Sequence, residues 1–237
     1  MGQITLVRHG QASFGSADYD RLSALGVEQS RRLGLWLAER GQPFDTIVTG
    51  GMLRHRQTAE ACLAAMPAAL SGGDAWIVDP DFNEYDHHEV LVRHWPAFDD
   101  PEAVKAFLCT PAGGHPDGRR AFQKIFEDAM ARWMSGAHDA DYAETWERFR
   151  TRCIAALVRL AANAGPSQNL LVFTSGGPIA AIAQHLFEMP DHAMASLNWT
   201  LVNCGLTKLF YRGQRMSLGY LNSHAHFEAD PDFITYR

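Results

Sequence analysis

The chain is poor in the features that mark several large classes of protein. It has only four cysteines, Cys62, Cys109, Cys153 and Cys204, and no two are spaced as Cys-x-x-Cys. Neither a zinc knuckle nor a dithiol redox motif is therefore expected, and the cysteines read as buried free thiols of a reducing compartment. There is no run of Lys or Arg, and the formal net charge is −6. That disfavours nucleic acid as a partner, since such binding is driven by neutralising phosphates. A local pair of arginines for one small phosphate remains compatible with an acidic surface. No apolar run approaches the length of a membrane span, and no basic n-region with an apolar h-region precedes the first strand-like segment. No membrane association and a cytoplasmic location are expected. Internal repeats and low-complexity segments are also missing.

What is present is an ordinary globular composition, 46% hydrophobic and 20% charged over 237 residues. That is enough chain for one large domain with an insertion. Ile4 to Val7 is an apolar, strand-forming run that leads directly into Arg8, His9 and Gly10. A polar loop, Gln11 to Asp20, precedes a helix from about Ser23 to Arg40, with Gly41 at its C-terminal cap position. Phe44 to Thr49 reads as a second strand, Gly50-Gly51 as a turn, and Met52 to Met66 as a helix. Strand, glycine turn and helix recur in that order, which predicts βα units and a mainly parallel sheet. Ala75 to Asp79 is a third strand candidate.

From there to about residue 142 the strand pattern disappears. Pro101 to Leu108 and Arg119 to Met134 read as helices around a loop at Thr110 to Gly118. A helical insertion at 85–143 is thus predicted within one domain spanning 1–237. Such an insertion is a natural lid over a ligand face, or else an appendage that only buries sheet surface. Glu144 to Asn163 is strongly amphipathic. Asn169 to Phe173 is the most apolar strand; it ends in Thr174-Ser175-Gly176-Gly177, and Pro178 opens a helix to about Phe187. Leu206 to Tyr211 and Met216 to Leu221 form a plausible edge hairpin. The fold class predicted is a three-layer α/β/α arrangement. The tryptophans, Trp36 and Trp146 among them, read as core.

Three strand ends carry polar or glycine-rich segments, and in a parallel sheet they share one edge, where ligands bind. Arg8 and Arg54 could grip a phosphate through bidentate contacts, Arg54 from the first turn of a helix. Gly176 and Gly177 would let backbone approach an anion. His9 among these groups can attack phosphorus through a neutral nitrogen, provided the other nitrogen donates to a fixed acceptor. Glu84, in a turn beyond the third strand, is the best-placed acid for the leaving alkoxide.

Leu6-Val7-Arg8-His9-Gly10 resembles the opening signature of the histidine phosphatase superfamily, also called phosphoglycerate mutase-like. Tyr19 to Gln29 is similar to that family's next segment. Leu53-Arg54-His55-Arg56-Gln57-Thr58-Ala59 is similar to its second phosphate-binding block. Phe82-Asn83-Glu84 lies where its proton donor is expected, and Glu144 to Arg152 resembles a later helix. Asn203 and His224 fall in family-like blocks without an assigned role. The resemblance implies a phosphomonoester hydrolase without cofactor or metal, working on a small phosphorylated metabolite. His9 would be nucleophile, Glu84 acid and then base, and Arg8 and Arg54 the clamp. A phosphate-binding regulatory protein on the same fold is the alternative, and a mutase-type phosphotransferase a further one.

The resemblance also marks a departure. The family pattern places a second histidine just before the glycine pair, where this chain has Ser175, with Gly176 after it. A serine hydroxyl is a shorter, neutral donor, and charge-assisted bonds are roughly twice as strong. Losing one such donor commonly costs about 10²–10³ in rate. His87 and His88 are the candidates to compensate, set against the plainer reading of solvated histidines at the start of the insertion, which is the one favoured. A gain in rate on Ser175→His would mark serine as a weakened donor; a loss would mean that the pocket is built around it. Asp86, His87, His88, His224 and His226 match no metal-binding spacing, so no metal is expected.

Overall fold

The computed structural model describes residues 1–13, 20–72, 76–109, 118–213 and 215–236. Most of the Gln11 to Asp20 loop, the Thr110 to Gly118 loop up to 117, Ala75 and Gln214 lie outside the described residues. The chain falls into two compact units, Met1–Glu84 with Arg152–Arg237, and Tyr85–Thr151.

The strands of the first unit are β1 (Gly2–Arg8), β2 (Thr46–Thr49), β3 (Ile77–Val78), β4 (Asn169–Thr174), β5 (Leu206–Arg212) and β6 (Arg215–Ser223). They form one sheet in the order β3-β2-β4-β1-β5-β6. The first four strands in that order run parallel, and the predicted hairpin β5-β6 adds antiparallel to β1. Successive strand residues point to opposite faces. Ile4, Leu6, Val7, Leu170, Leu171, Val172 and Phe173 are all buried, so both faces of the central strands are covered. On one face Val7, Ile47, Leu171 and Phe173 join Leu33 and Leu37 of α1 (Ala24–Glu39) and Ala59, Cys62 and Leu63 of α2 (Leu53–Ala64). A helix further along, Gly176–Phe187, is buried from Gly176 to Gln184 and packs against β1. The architecture is the expected three-layer α/β/α fold, mainly parallel.

Local signals account for several boundaries. Ser23 caps α1 by accepting from the Gly26 N–H at 3.0 Å, and Gly41, at φ 61°, follows its end. The third strand is shorter than the segment predicted for it. Only Ile77 and Val78 pair with β2, and they are 50% and 61% exposed at the sheet edge. Asp79 then accepts from the Asp81 N–H, and Pro80 starts a 3₁₀ turn that ends the strand.

The second unit holds α3 (His87–His94), α4 (Pro101–Cys109), α5 (Gly118–Met134) and the start of α6 (Trp146–Asn163). Its core is aromatic. The Trp133 ring lies 4.9 Å from Tyr85, 5.3 Å from Trp146 and 5.7 Å from Phe149. The first unit continues from Arg152 of α6, and includes α7 (Gly176–Phe187) and α8 (Asp191–Thr200). Helix α7 begins two residues before Pro178, which sits in its first turn. Helices α3 and α8 were not expected. The first has eight residues, and the second buries only Met194, so neither carries a long apolar stripe. Cys62, Cys153 and Cys204 are buried free thiols as expected, whereas Cys109 is exposed at the end of α4. Among the described residues, no helix is long and apolar enough to cross a membrane.

Candidate active site

Parallel pairing brings three strand ends level. Arg8 pairs with Thr174, Thr49 pairs with Phe173, and β4 lies between β2 and β1. The segments that follow leave the same sheet edge side by side: His9-Gly10 after β1, Gly50 to Arg54 after β2, and Ser175 to Gly177 in the middle.

His9 is buried and its backbone is pinned from two sides. Its N–H donates to the Thr174 carbonyl at 2.8 Å, and its carbonyl accepts from Asn203 Nδ2 at 3.0 Å. Asn203 is itself oriented by Thr235, whose hydroxyl donates to Asn203 Oδ1 at 2.9 Å. The ring's Nδ1 lies 2.7 Å from the Gly10 carbonyl. A carbonyl only accepts, so Nδ1 carries the proton and Nε2 keeps its lone pair. Burial, then the charges of Arg54 and Arg8, and then His55 hold the His9 pKa well below the ordinary 6.5. His9 is neutral at physiological pH.

The two arginines reach this edge from different elements. Arg8 donates through Nη1 to the Leu201 carbonyl. Arg54 is buried in the first turn of α2, and its Nη1 lies 2.7 Å from Asp20 Oδ1. The same carboxylate accepts from the Leu53 N–H at 2.8 Å, so Asp20 ties the guanidinium to the helix N-terminus.

Glu84 reaches the central strand end. Its Oε2 accepts from the Gly177 N–H at 3.1 Å, in the first turn of α7. The turn that carries it is fastened by Arg152, which donates to the carbonyls of Asp81 and Asn83 at 2.9 and 2.8 Å. The Thr174 hydroxyl adds a bond to the Phe82 carbonyl at 2.6 Å. Gly176 is hemmed in: a Cβ there would run into Asn198 Oδ1.

Ser175 is fully buried, and its Oγ lies 2.6 Å from Nε2 of His55. His55 was not foreseen as a site residue. It is fully buried, and its ring centroid is 5.9 Å from that of His9, with the planes inclined by 36°. Burial and then Arg54 hold its pKa well below 6.5. A signal did exist, since His55, Ala59 and Cys62 recur at i, i+4 and i+7, the buried face of α2. The candidates for compensation, His87 and His88, open α3 in the second unit, where the exposed His88 lies 3.6 Å from Asp99. His224 Nδ1 donates to the Asn222 carbonyl at 2.9 Å. Among the described residues, no group of three or more His, Cys, Asp or Glu side chains is arranged to hold a metal ion.

The family model for the histidine phosphatase superfamily (branch 1) matches residues 4–123 and 112–224. A curated relative is the 2,3-bisphosphoglycerate-dependent phosphoglycerate mutase of Methylorubrum extorquens (strain PA1). It is 26% identical over 150 residues, which is 56% of this chain and 69% of that protein. The crystal structure of phosphoglycerate mutase from Bacillus anthracis str. Sterne is similar at a TM-score of 0.64 and 19% identity, covering 95% of this chain and 94% of that one. The phosphoserine phosphatase of Entamoeba histolytica is similar at a TM-score of 0.60 and 18% identity, covering 95% and 99%. At these identities the structural likenesses establish the fold.

Proposed function

Because the chain belongs to the histidine phosphatase superfamily, branch 1, we propose that it hydrolyses a small phosphomonoester through a phosphohistidine on His9. The observation that carries this reading is the His9 tautomer. The Gly10 carbonyl holds the proton on Nδ1, and burial with two arginines keeps the ring neutral, so an Nε2 lone pair is available beside a cationic cradle.

In the first step Nε2 attacks phosphorus, the bond from phosphorus to the ester oxygen breaks, and the Glu84 carboxyl gives its proton to the departing alkoxide. In the second, the Glu84 carboxylate takes a proton from water, the water oxygen bonds to phosphorus, and the P–N bond breaks. Inorganic phosphate leaves, and both residues return to their starting states. Arg8 and Arg54 balance the phosphoryl charge throughout. No step requires a metal, and dialysis against EDTA is expected to leave turnover unchanged.

The curated relative is named as a mutase, and the two activities differ in what accepts the phosphoryl group, water or a second substrate hydroxyl. The test is incubation of the full chain with p-nitrophenyl phosphate, with acid quench and base quench in parallel. The expected result is a base-stable, acid-labile phosphoryl label on His9 and release of phosphate to water, both abolished by His9→Ala. Turnover unchanged in His9→Ala refutes the mechanism. Phosphate binding without label or turnover would make the chain a phosphate-ligand-binding regulatory protein.

A further inference from the structure

The strand-end edge around His9 contains a second imidazole, supplied by an element that the family pattern does not use for it. His55 is the third residue of α2, directly after Arg54. The strand order explains why it arrives there. β4 separates β2 from β1, so the helix that follows β2 and the loop that follows β1 flank the end of β4. Ser175, directly after β4, is bonded to His55 at 2.6 Å. The two rings lie 5.9 Å apart between centroids.

The neighbours of His55 are shaped to admit its ring. A Cβ at Gly50 would run into the imidazole at Nδ1, so only glycine leaves the space. Ser175 is fully buried, and a side chain much larger than serine at that position would meet the ring. The Nδ1 atom is buried and has no hydrogen-bond partner among the described residues. A histidine kept only for packing is expected to have both nitrogens satisfied, because a buried polar atom without a partner is destabilising. A serine hydroxyl can donate to Nε2, and that tautomer puts the proton on Nδ1 as a donor in want of an acceptor.

We propose that His55, positioned by Ser175, is the second catalytic imidazole of this phosphate site, donating to a non-bridging phosphoryl oxygen while His9 attacks. The proposal rests on the phosphatase reading and deepens it. It reverses the expectation for residue 175: serine there is the anchor of a relocated histidine, and the pocket is built around it.

The test uses four variants of the full chain, with p-nitrophenyl phosphate hydrolysis and thermal melting read on each. His55→Ala is expected to lower kcat and kcat/KM together by about 10²–10³. Ser175→His alone is expected to lose activity, because the new ring and His55 claim the same space. The double variant His55→Ala/Ser175→His is expected to regain at least about tenfold over His55→Ala, since a ring from position 175 enters the vacated volume. His55→Asn keeps an N–H near the place of Nδ1 and is expected to exceed His55→Ala. A merely structural His55 would lower the melting temperature without this pattern of rescue. The proposal is overturned by a His55→Ala protein with kcat within about threefold of wild type, or by folded double and Asn variants that recover nothing. If wild type itself neither turns over nor labels at His9, the phosphatase reading falls, and calorimetry with inorganic phosphate then decides on His55 separately. Tenfold or greater weakening in His55→Ala keeps it in the anion site, and unchanged affinity removes it.

Discussion

Lowering the pH should destabilise this protein through two identifiable histidines. His9 and His55 are both held well below the ordinary imidazole pKa of 6.5, in each case chiefly by burial. Arg54 is the next cause for both, and Arg8 and His55 add further to His9. The folded state therefore keeps both rings neutral where the unfolded chain begins to bind protons. Stability rises with pH wherever the unfolded state holds more protons, so this contribution is present above 6.5 and is lost as pH falls below it. Between about pH 7.5 and 5.5 each ring whose folded pKa stays below that window accounts for about 1.4 kcal/mol, and the pair for about 2.8 kcal/mol. Set against a total of roughly 5–15 kcal/mol for a typical domain, the loss is large. His226, held at about 4 mainly by burial, acts in the same direction. The assay is urea denaturation followed by tryptophan fluorescence at the two pH values, for wild type, His9→Asn and His55→Asn. Each variant should shrink the pH difference by about 1.4 kcal/mol, because asparagine does not titrate. Nitrogen-15 NMR should show both rings neutral at pH 6, with the His9 proton on Nδ1. A pH difference that is the same in all three proteins, or a protonated His9 at pH 6, refutes the reasoning.

Other perturbations separate the roles of the remaining groups. Glu84→Gln should cut turnover of an alkyl phosphate by about 10²–10⁴ and that of p-nitrophenyl phosphate far less, because the nitrophenolate leaves without a proton. Equal losses on both substrates would mean that Glu84 does not act as the acid. Asn203→Ala removes the stronger of the two donors to the His9 carbonyl, leaving the Cys204 N–H at 3.3 Å, and takes away the acceptor of the Thr235 hydroxyl, so it should destabilise by about 1 kcal/mol and lower activity. Unchanged melting would show that the bond carries little. Arg54→Lys should weaken binding of inorganic phosphate at least about tenfold while preserving the fold, since an ammonium cannot reproduce the planar fork that meets both Asp20 and an anion. Calorimetry measures it, and equal affinity would place Arg54 outside the clamp.

Much of the molecule was legible residue by residue because its signals are local. The run Ile4 to Val7, the Ser23 cap and Gly41 after α1, and the glycine turn after Thr49 each declare an element within a few residues. So does the apolar Asn169 to Phe173 strand. The third strand was overestimated because an apolar stretch does not reveal that it lies at a sheet edge with only Ile77 and Val78 paired. Helix α8 escaped because a helix that buries one residue leaves no period to read.

The same division runs through the site. The chain by itself named His9, Arg8, Arg54 and Glu84 as candidates, since the chemical types that would serve as nucleophile, clamp and acid stand at strand ends, and strand ends are visible locally. It also marked Ser175 as a departure and looked to His87 and His88, which are near Glu84 in sequence. Only the tertiary structure decided which imidazole stands beside Ser175. That choice depends on β4 lying between β2 and β1, a pairing between segments more than a hundred residues apart, and on the phase of α2 that turns His55 inward next to Arg54.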